Sequence, residues 1–148
     1  GAVHIAQSLV EIAENCGYET IIIDPREYFA NEKRFPRCNI INDWPDNALR
    51  DFHLNDTCHL VTLTHDPKID DPALEVALRS KIGYIGSLGS SKTHQKRIER
   101  LRKQGFEDKL ISKIHGPVGL DISSKTPQEI SISILAELIG FRRKKNHD

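Results

Sequence analysis

Methionine is missing altogether from this chain, and tryptophan occurs once, as Trp44. A polypeptide that opens on Gly1 and contains no methionine is expected to be a piece of a longer translation product. Cysteine is scarce: Cys16, Cys38 and Cys58 are odd in number and show no CxxC spacing, which points to a reducing, cytosolic compartment and to no thiolate metal site. No apolar run approaches the roughly 18 residues a membrane helix needs, so no membrane span is expected. No basic-then-apolar stretch opens the chain. Charge of one sign is lacking too, because 21 basic and 21 acidic side chains cancel, which excludes a generally nucleic-acid-binding basic protein. GxSxG and HExxH are absent, and the lone Cys-His neighbour pair, Cys58-His59, stands at the start of a predicted strand. What is there is ordinary soluble composition, 38% hydrophobic and 28% charged over 148 residues, enough for one domain with a real core.

Hydrophobic spacing sets the elements. Ile5, Leu9, Ile12 and Cys16 lie on one helical face, predicting a helix over residues 2–16 that Gly17 ends. A β-branched run over residues 20–23 stops at Asp24-Pro25 and reads as a buried strand. Further strands are expected over residues 38–41, 59–64 and 82–85, with helices over 45–51, 70–79, 92–103 and 109–114. The last helix has the clearest start: Thr126 as cap, Pro127 at the first position and Glu129 at the third. Residues 1–141 form the predicted domain, and the basic residues 142–145 read as a solvated, frayed tail that runs on to 148.

Strands alternating with helices predict an α/β fold, a Rossmann-like doubly wound parallel sheet. A helix opening directly from Gly1 is normally fed by the first, central strand of such a sheet. That strand is not in these residues, so the sheet is expected to split between the Ile21 and Leu60 strands, with upstream residues filling the gap.

Ligands of these sheets bind beyond the carboxyl ends of the strands, and five segments fall there. Gly1-Ala2-Val3-His4-Ile5-Ala6 opens the first helix; Val3 stands where a dinucleotide fingerprint has its second glycine, so Gly1, Val3 and His4 either meet an anion or merely make a tight turn. Asp24, 23 residues after Gly1, either accepts from ribose hydroxyls or closes a strand-end turn, with Arg26 free to meet phosphate or pair with Asp24. Thr64, His65 and Asp66 end the third strand, where a histidine and a carboxylate suit proton transfer or a polar ring; the competing reading is that Asp66 or Asp70 caps the next helix. Gly86, Ser87, Gly89, Ser90, Ser91 and Lys92 lead into a helix and offer amides and hydroxyls to a phosphate, and between Gly89 and Gln104 six basic residues against Glu99 leave a net +5, most of it read as a solvated face. The two glycines are too close for a P-loop. Asp121, in a Gly- and Pro-rich loop, either borders a pocket or satisfies loop amides.

Several of these stretches together, Asp24-Pro25-Arg26, Leu63-Thr64-His65-Asp66-Pro67-Lys68, Tyr84-Ile85-Gly86-Ser87-Leu88-Gly89-Ser90 and Ile114-His115-Gly116-Pro117-Val118-Gly119-Leu120-Asp121-Ile122, closely resemble the Rossmann-like domain of the XdhC/CoxI family, accessory proteins of xanthine dehydrogenase and related molybdenum hydroxylases. The resemblance runs in order over nearly the whole chain. It implies a cytoplasmic, non-catalytic chaperone that holds molybdenum cofactor (molybdopterin), protects it during sulfuration and passes it to the apoenzyme. The partners it implies are a molybdenum hydroxylase apoenzyme and a cysteine desulfurase, with no nucleic acid. It also implies a smaller upstream domain with a glycine- and cysteine-containing motif, which nothing here matches. Two readings compete on the same fold: an NAD(P)-dependent oxidoreductase that binds an adenine dinucleotide, and a structural or regulatory nucleotide-sensing domain. A homodimer, with exchange of segments, is open to either.

Overall fold

A computed structural model describes residue 1 and residues 3–147. In chain order the elements are α1 (His4–Asn15), β1 (Ile21–Ile23), β2 (Asn39–Ile41), α2 (Pro45–Arg50), β3 (His59–Thr62), α3 (Pro67–Leu78), β4 (Tyr84–Ser87), α4 (Ser91–Lys103), α5 (Asp108–Ile111), β5 (Ile114–His115) and α6 (Pro127–His147). Every strand pair among the described residues is parallel, joined by a helical crossover from β3 to β4 and from β4 to β5 and by a run of turns from β1 to β2. Helices cover both faces, and the alternation along β4 makes this concrete. Tyr84 joins the cluster beneath α1 and α6 with Ala6, Ile22, Leu63, Ile134 and Leu138. The next residue, Ile85, joins the opposite cluster of Leu74, Leu78, Leu101, Phe106 and Ile111 under α3, α4 and α5. Such two-sided burial is the physical content of a doubly wound sheet.

The sheet is divided where the sequence predicts. β1 pairs with β2, while β3, β4 and β5 form a second sheet, and among the described residues no strand joins β1 to β3. Between them lies a cavity of about 830 Å³, lined by Ile21 and Ile23 on one strand, Leu60 and Val61 on the other, and Leu9 and Leu135 from the helices.

Element limits differ from the sequence reading in several places, among them β3, which ends at Thr62, and β4, which runs on to Ser87. The first helix starts at His4, while Ala2 lies outside the described residues. α3 begins at Pro67, before the expected position 70, because the Asp66 carboxylate accepts the Lys68 amide at 3.0 Å and caps it. β4 begins two residues later than expected: the Gly83 amide is bonded to the Asn55 and Cys58 carbonyls, so pairing with β3 starts only at His59 opposite Tyr84. Finally, Ile114 and His115 form β5, with partners Ile85 and Gly86, in place of a helix running to 114; a strand this short exists only through its neighbour. The start of α6 is as read, since Glu129 accepts the Thr126 amide at 3.0 Å and its own amide bonds Thr126 Oγ1 at 3.1 Å. Its end is not frayed at 142: the helix runs to His147, and the Arg142 guanidinium lies 4.8 Å from the centre of the Tyr18 ring.

Candidate functional site

Parallel strands bring their carboxyl ends to one edge, and the candidate segments gather there. The Gly1 backbone lies so close to Thr64 that a Cβ at position 1 would overlap Thr64 Cγ2. Val3 is the extended cap residue of α1 and supplies no side-chain bond, and His4 is exposed in the first turn. Asp24 follows β1 and is fully buried. Its two carboxylate oxygens take Arg26 in a fork, Oδ1 from Nε at 2.9 Å and Oδ2 from Nη2 at 2.8 Å, and Oδ1 also accepts the Arg26 amide. The hydrogen bond to Asp24 raises the Arg26 pKa further. Of the two sequence readings, pairing of Arg26 with Asp24 is therefore realised, and the guanidinium is the half of the pair that reaches solvent, at 34% exposure.

At the end of β3 the chain turns through His65, whose φ of 63° is the left-handed region. Asp70, only 5% exposed, holds this turn from within α3: it accepts the Thr64 hydroxyl at 2.7 Å and the His65 amide at 3.0 Å. The Thr64 hydroxyl also receives the Asp66 amide. His65 is exposed, and the Asp66 carboxylate is the α3 cap.

The bend after β4 adjoins this tip, because the Leu88 amide bonds the Thr62 carbonyl. Gly86 is buried against Val118, and Ser87, fully buried, shares its hydroxyl with Thr62 across the strand pair, so these two residues shape the bend from inside. Ser90 is the α4 cap, its Oγ receiving the Thr93 amide at 3.1 Å. The amides of Gly89, Ser90, Ser91 and Lys92 make no bond within the described chain, and Ser90, Ser91 and Lys92 are exposed. Four free donors at one helix entrance suit an anion. Asp121 is exposed and turned onto the Ser123 amide, the loop-satisfying alternative. Its loop nevertheless belongs to this edge, through the Val118 amide on the Ser87 carbonyl and the Leu120 amide on the Ser133 carbonyl.

Two residues matter here that sequence reasoning does not single out. Asp70 reads from the sequence only as a cap, but its position one turn after Asp66 lets it fold back on the strand end. Arg97 falls within the basic run that reads as a solvated face, yet it is 2% exposed and its Nε has no partner. Its spacing is the available signal, four residues before the buried Leu101 and so on the helix's inner stripe. The rest of the block is partly neutralised: Arg100 forks onto Asp71 and Arg102 onto Asp108.

No trio of His, Cys, Asp or Glu among the described residues is arranged to hold a metal ion. Cys38 and Cys58 precede β2 and β3 and Cys16 follows α1, all away from the carboxyl edge.

Known proteins of the same fold match the chain. Residues 1–138 match the family described as the XdhC Rossmann domain. The chain is 28% identical over 137 residues to a Bacillus subtilis protein named as a probable component of xanthine dehydrogenase, covering 92% of this chain and 39% of that protein. It is 30% identical over 89 residues to the molybdenum cofactor insertion chaperone PaoD of Escherichia coli, covering 60% of this chain and 28% of the relative. A crystal structure described as a xanthine dehydrogenase from Bacillus halodurans superposes with a TM-score of 0.83 at 33% identity, over 97% of this chain and 41% of that one. The chain thus spans well under half the length of these proteins. With its doubly wound parallel fold, its carboxyl-edge bend and a family match over nearly its whole length, this chain belongs to the XdhC family, as its Rossmann domain.

Proposed function

We propose that this domain serves the maturation of a molybdenum hydroxylase of the xanthine dehydrogenase type, binding molybdenum cofactor as cargo and delivering it to the apoenzyme without transforming it. The observation that carries the reading is the donor-rich carboxyl edge: four unbonded amides at residues 89–92 beside the Thr64 tip, and the Asp24–Arg26 fork at the end of β1. Amides at a helix entrance suit the cofactor's phosphate. The Arg26 guanidinium, which reaches solvent and is a donor only, suits the carbonyl oxygen and ring nitrogens of a pterin. The sulfur-bound metal meets no thiolate at this edge, so the domain grips the organic part of the cargo. The names of two relatives, a molybdenum cofactor insertion chaperone and a probable xanthine dehydrogenase component, support the same assignment. A hydroxylase apoenzyme is the partner this requires; a cysteine desulfurase, a second copy of the chain and a cytoplasmic setting belong to the same proposal.

An adenine dinucleotide fits less well. Its ribose diol would compete for Asp24 with a bidentate guanidinium, and charge-assisted forks of that kind are among the stronger protein hydrogen bonds. Anaerobic calorimetry of the full-length protein with molybdenum cofactor and with NAD(H) separates the readings, followed by mixing the loaded protein with apo-xanthine dehydrogenase. Micromolar cofactor binding and recovery of urate formation are expected. Tight NAD(H) binding without uptake of the cofactor would overturn the assignment.

A further inference from the structure

We propose that the entrance of α4 is a phosphate site whose buried charge is Arg97, which acts from beneath the bend; this rests on the reading above that the cargo's phosphate lies at residues 89–92. The ligand class is a phosphate monoester or diphosphate.

The geometry begins at the peptide between Leu88 and Gly89. Arg97 Nη2 donates to the Leu88 carbonyl at 2.9 Å, drawing that oxygen toward the interior. Carbonyl and amide of a trans peptide point opposite ways, so the Gly89 amide is turned away from that interior, next in the chain to the free amides of Ser90, Ser91 and Lys92. Gly89 makes this possible. Its φ of +143° is poorly open to other residues, and a Cβ there would stand 2.9 Å from Thr93 Cγ2 and 3.6 Å from Arg97 Nη2. Only a bare backbone separates the guanidinium from the mouth of the bend.

Electrostatics supplies the second, independent observation. Arg97 is 2% exposed, and its Nε is buried without a partner. Its bonds run to a carbonyl and, from Nη1 at 3.0 Å, to His94 Nδ1; among the described residues no carboxylate pairs with it. His94 must be neutral to accept, and burial together with Arg97 lowers its pKa. The Gly116 backbone packs against this ring, where a Cβ would collide with Nδ1. Asp70 and Asp71 act on Arg97 only through space. A buried cation without a contacting anion is a cost that folding alone does not explain, since an apolar side chain of similar length removes it. An anion seated over the bend supplies the missing countercharge.

The test uses inorganic pyrophosphate as probe, at constant ionic strength in chloride, on the wild-type chain and on Arg97→Met and Arg97→Lys. Wild type is expected to gain melting temperature with pyrophosphate, and its largest amide NMR shifts should fall on Gly89, Ser90, Ser91 and Lys92. Arg97→Met removes the bonds to the Leu88 carbonyl and His94 and should melt somewhat lower than wild type without the ion, while its pyrophosphate affinity drops by about tenfold or more. Arg97→Lys, which keeps the charge, should retain part of the response. Should Arg97→Met fail to fold, the amide shifts and the lysine variant still decide. Equal pyrophosphate response in wild type and Arg97→Met removes Arg97 from the site but leaves the amide cradle standing. Absence of any response in the wild type overturns this inference and the phosphate anchor of the proposed function together.

Discussion

Asp70 sits one helical turn inside α3 and is nearly inaccessible, yet its oxygens are spent on the Thr64 hydroxyl and the His65 amide rather than on a cationic side chain. A buried carboxylate satisfied by a hydroxyl and a backbone amide fixes a turn more firmly than packing would, because each donor left alone costs about 1–3 kcal/mol. Asp70→Ala should therefore destabilise the chain by about 2 kcal/mol, read by urea unfolding, and should loosen the left-handed turn at His65. A loss below a few tenths of a kcal/mol would mean that the tip is held from elsewhere. Residue identity alone indicates a carboxylate cap near this turn; which of Asp66 and Asp70 takes that place is decided by distance to the Lys68 amide. The same limit applies to Arg97, since a formal charge in a basic run says nothing of its depth.

Elements with strong local chemistry are legible in the sequence. Thr126, Pro127 and Glu129 mark the start of α6, and Glu129 is held below its ordinary pKa first by the Lys125 amide and then by that of Thr126. Thr126→Ala should cost about 1 kcal/mol, the usual worth of such a cap, and lower the thermal midpoint by a few degrees. An unchanged midpoint would show that α6 owes its start to packing on α1 rather than to its cap. Elements without local chemistry are not legible. β5 is two residues long and has no pattern of its own, and β4 starts two residues late because Gly83 is held by the Asn55 and Cys58 carbonyls. At the far end of α6, Arg142 belongs by sequence to a solvated run, but Tyr18 sits within reach of it. Helix ends with unbroken polar sequence carry no signal of what packs beside them.

At the scale of the molecule, two parallel sheets border a cleft with β1 and β3, and among the described residues these two edges carry no further strand. An extended segment seated in the cleft would meet both bordering strands and their aliphatic lining. Aliphatic side chains such as Ile21, Ile23, Leu60 and Val61 line it, so a β-branched occupant would gain about 1.5–3 kcal/mol per buried side chain before its ordering cost. Fusing six Val, Ile and Thr residues ahead of Gly1 should raise the melting temperature by about 5 °C or more over a Gly/Ser fusion of equal length. Equal melting would leave the cleft a solvent-filled feature of the fold.

By itself the sequence determined the layer order, the Thr126 cap, the family and the division of the sheet, because these follow from periodicity, capping chemistry and long motifs that are local in the chain. Tertiary structure alone decided that Arg26 closes on Asp24, that Asp66 caps while Asp70 reaches back to Thr64, and that a lone guanidinium lies under Gly89. Those outcomes depend on which polar groups are stranded away from water and which partners lie within about 3 Å of them. Depth and distance are properties of the packed molecule, and no pattern along the chain encodes them.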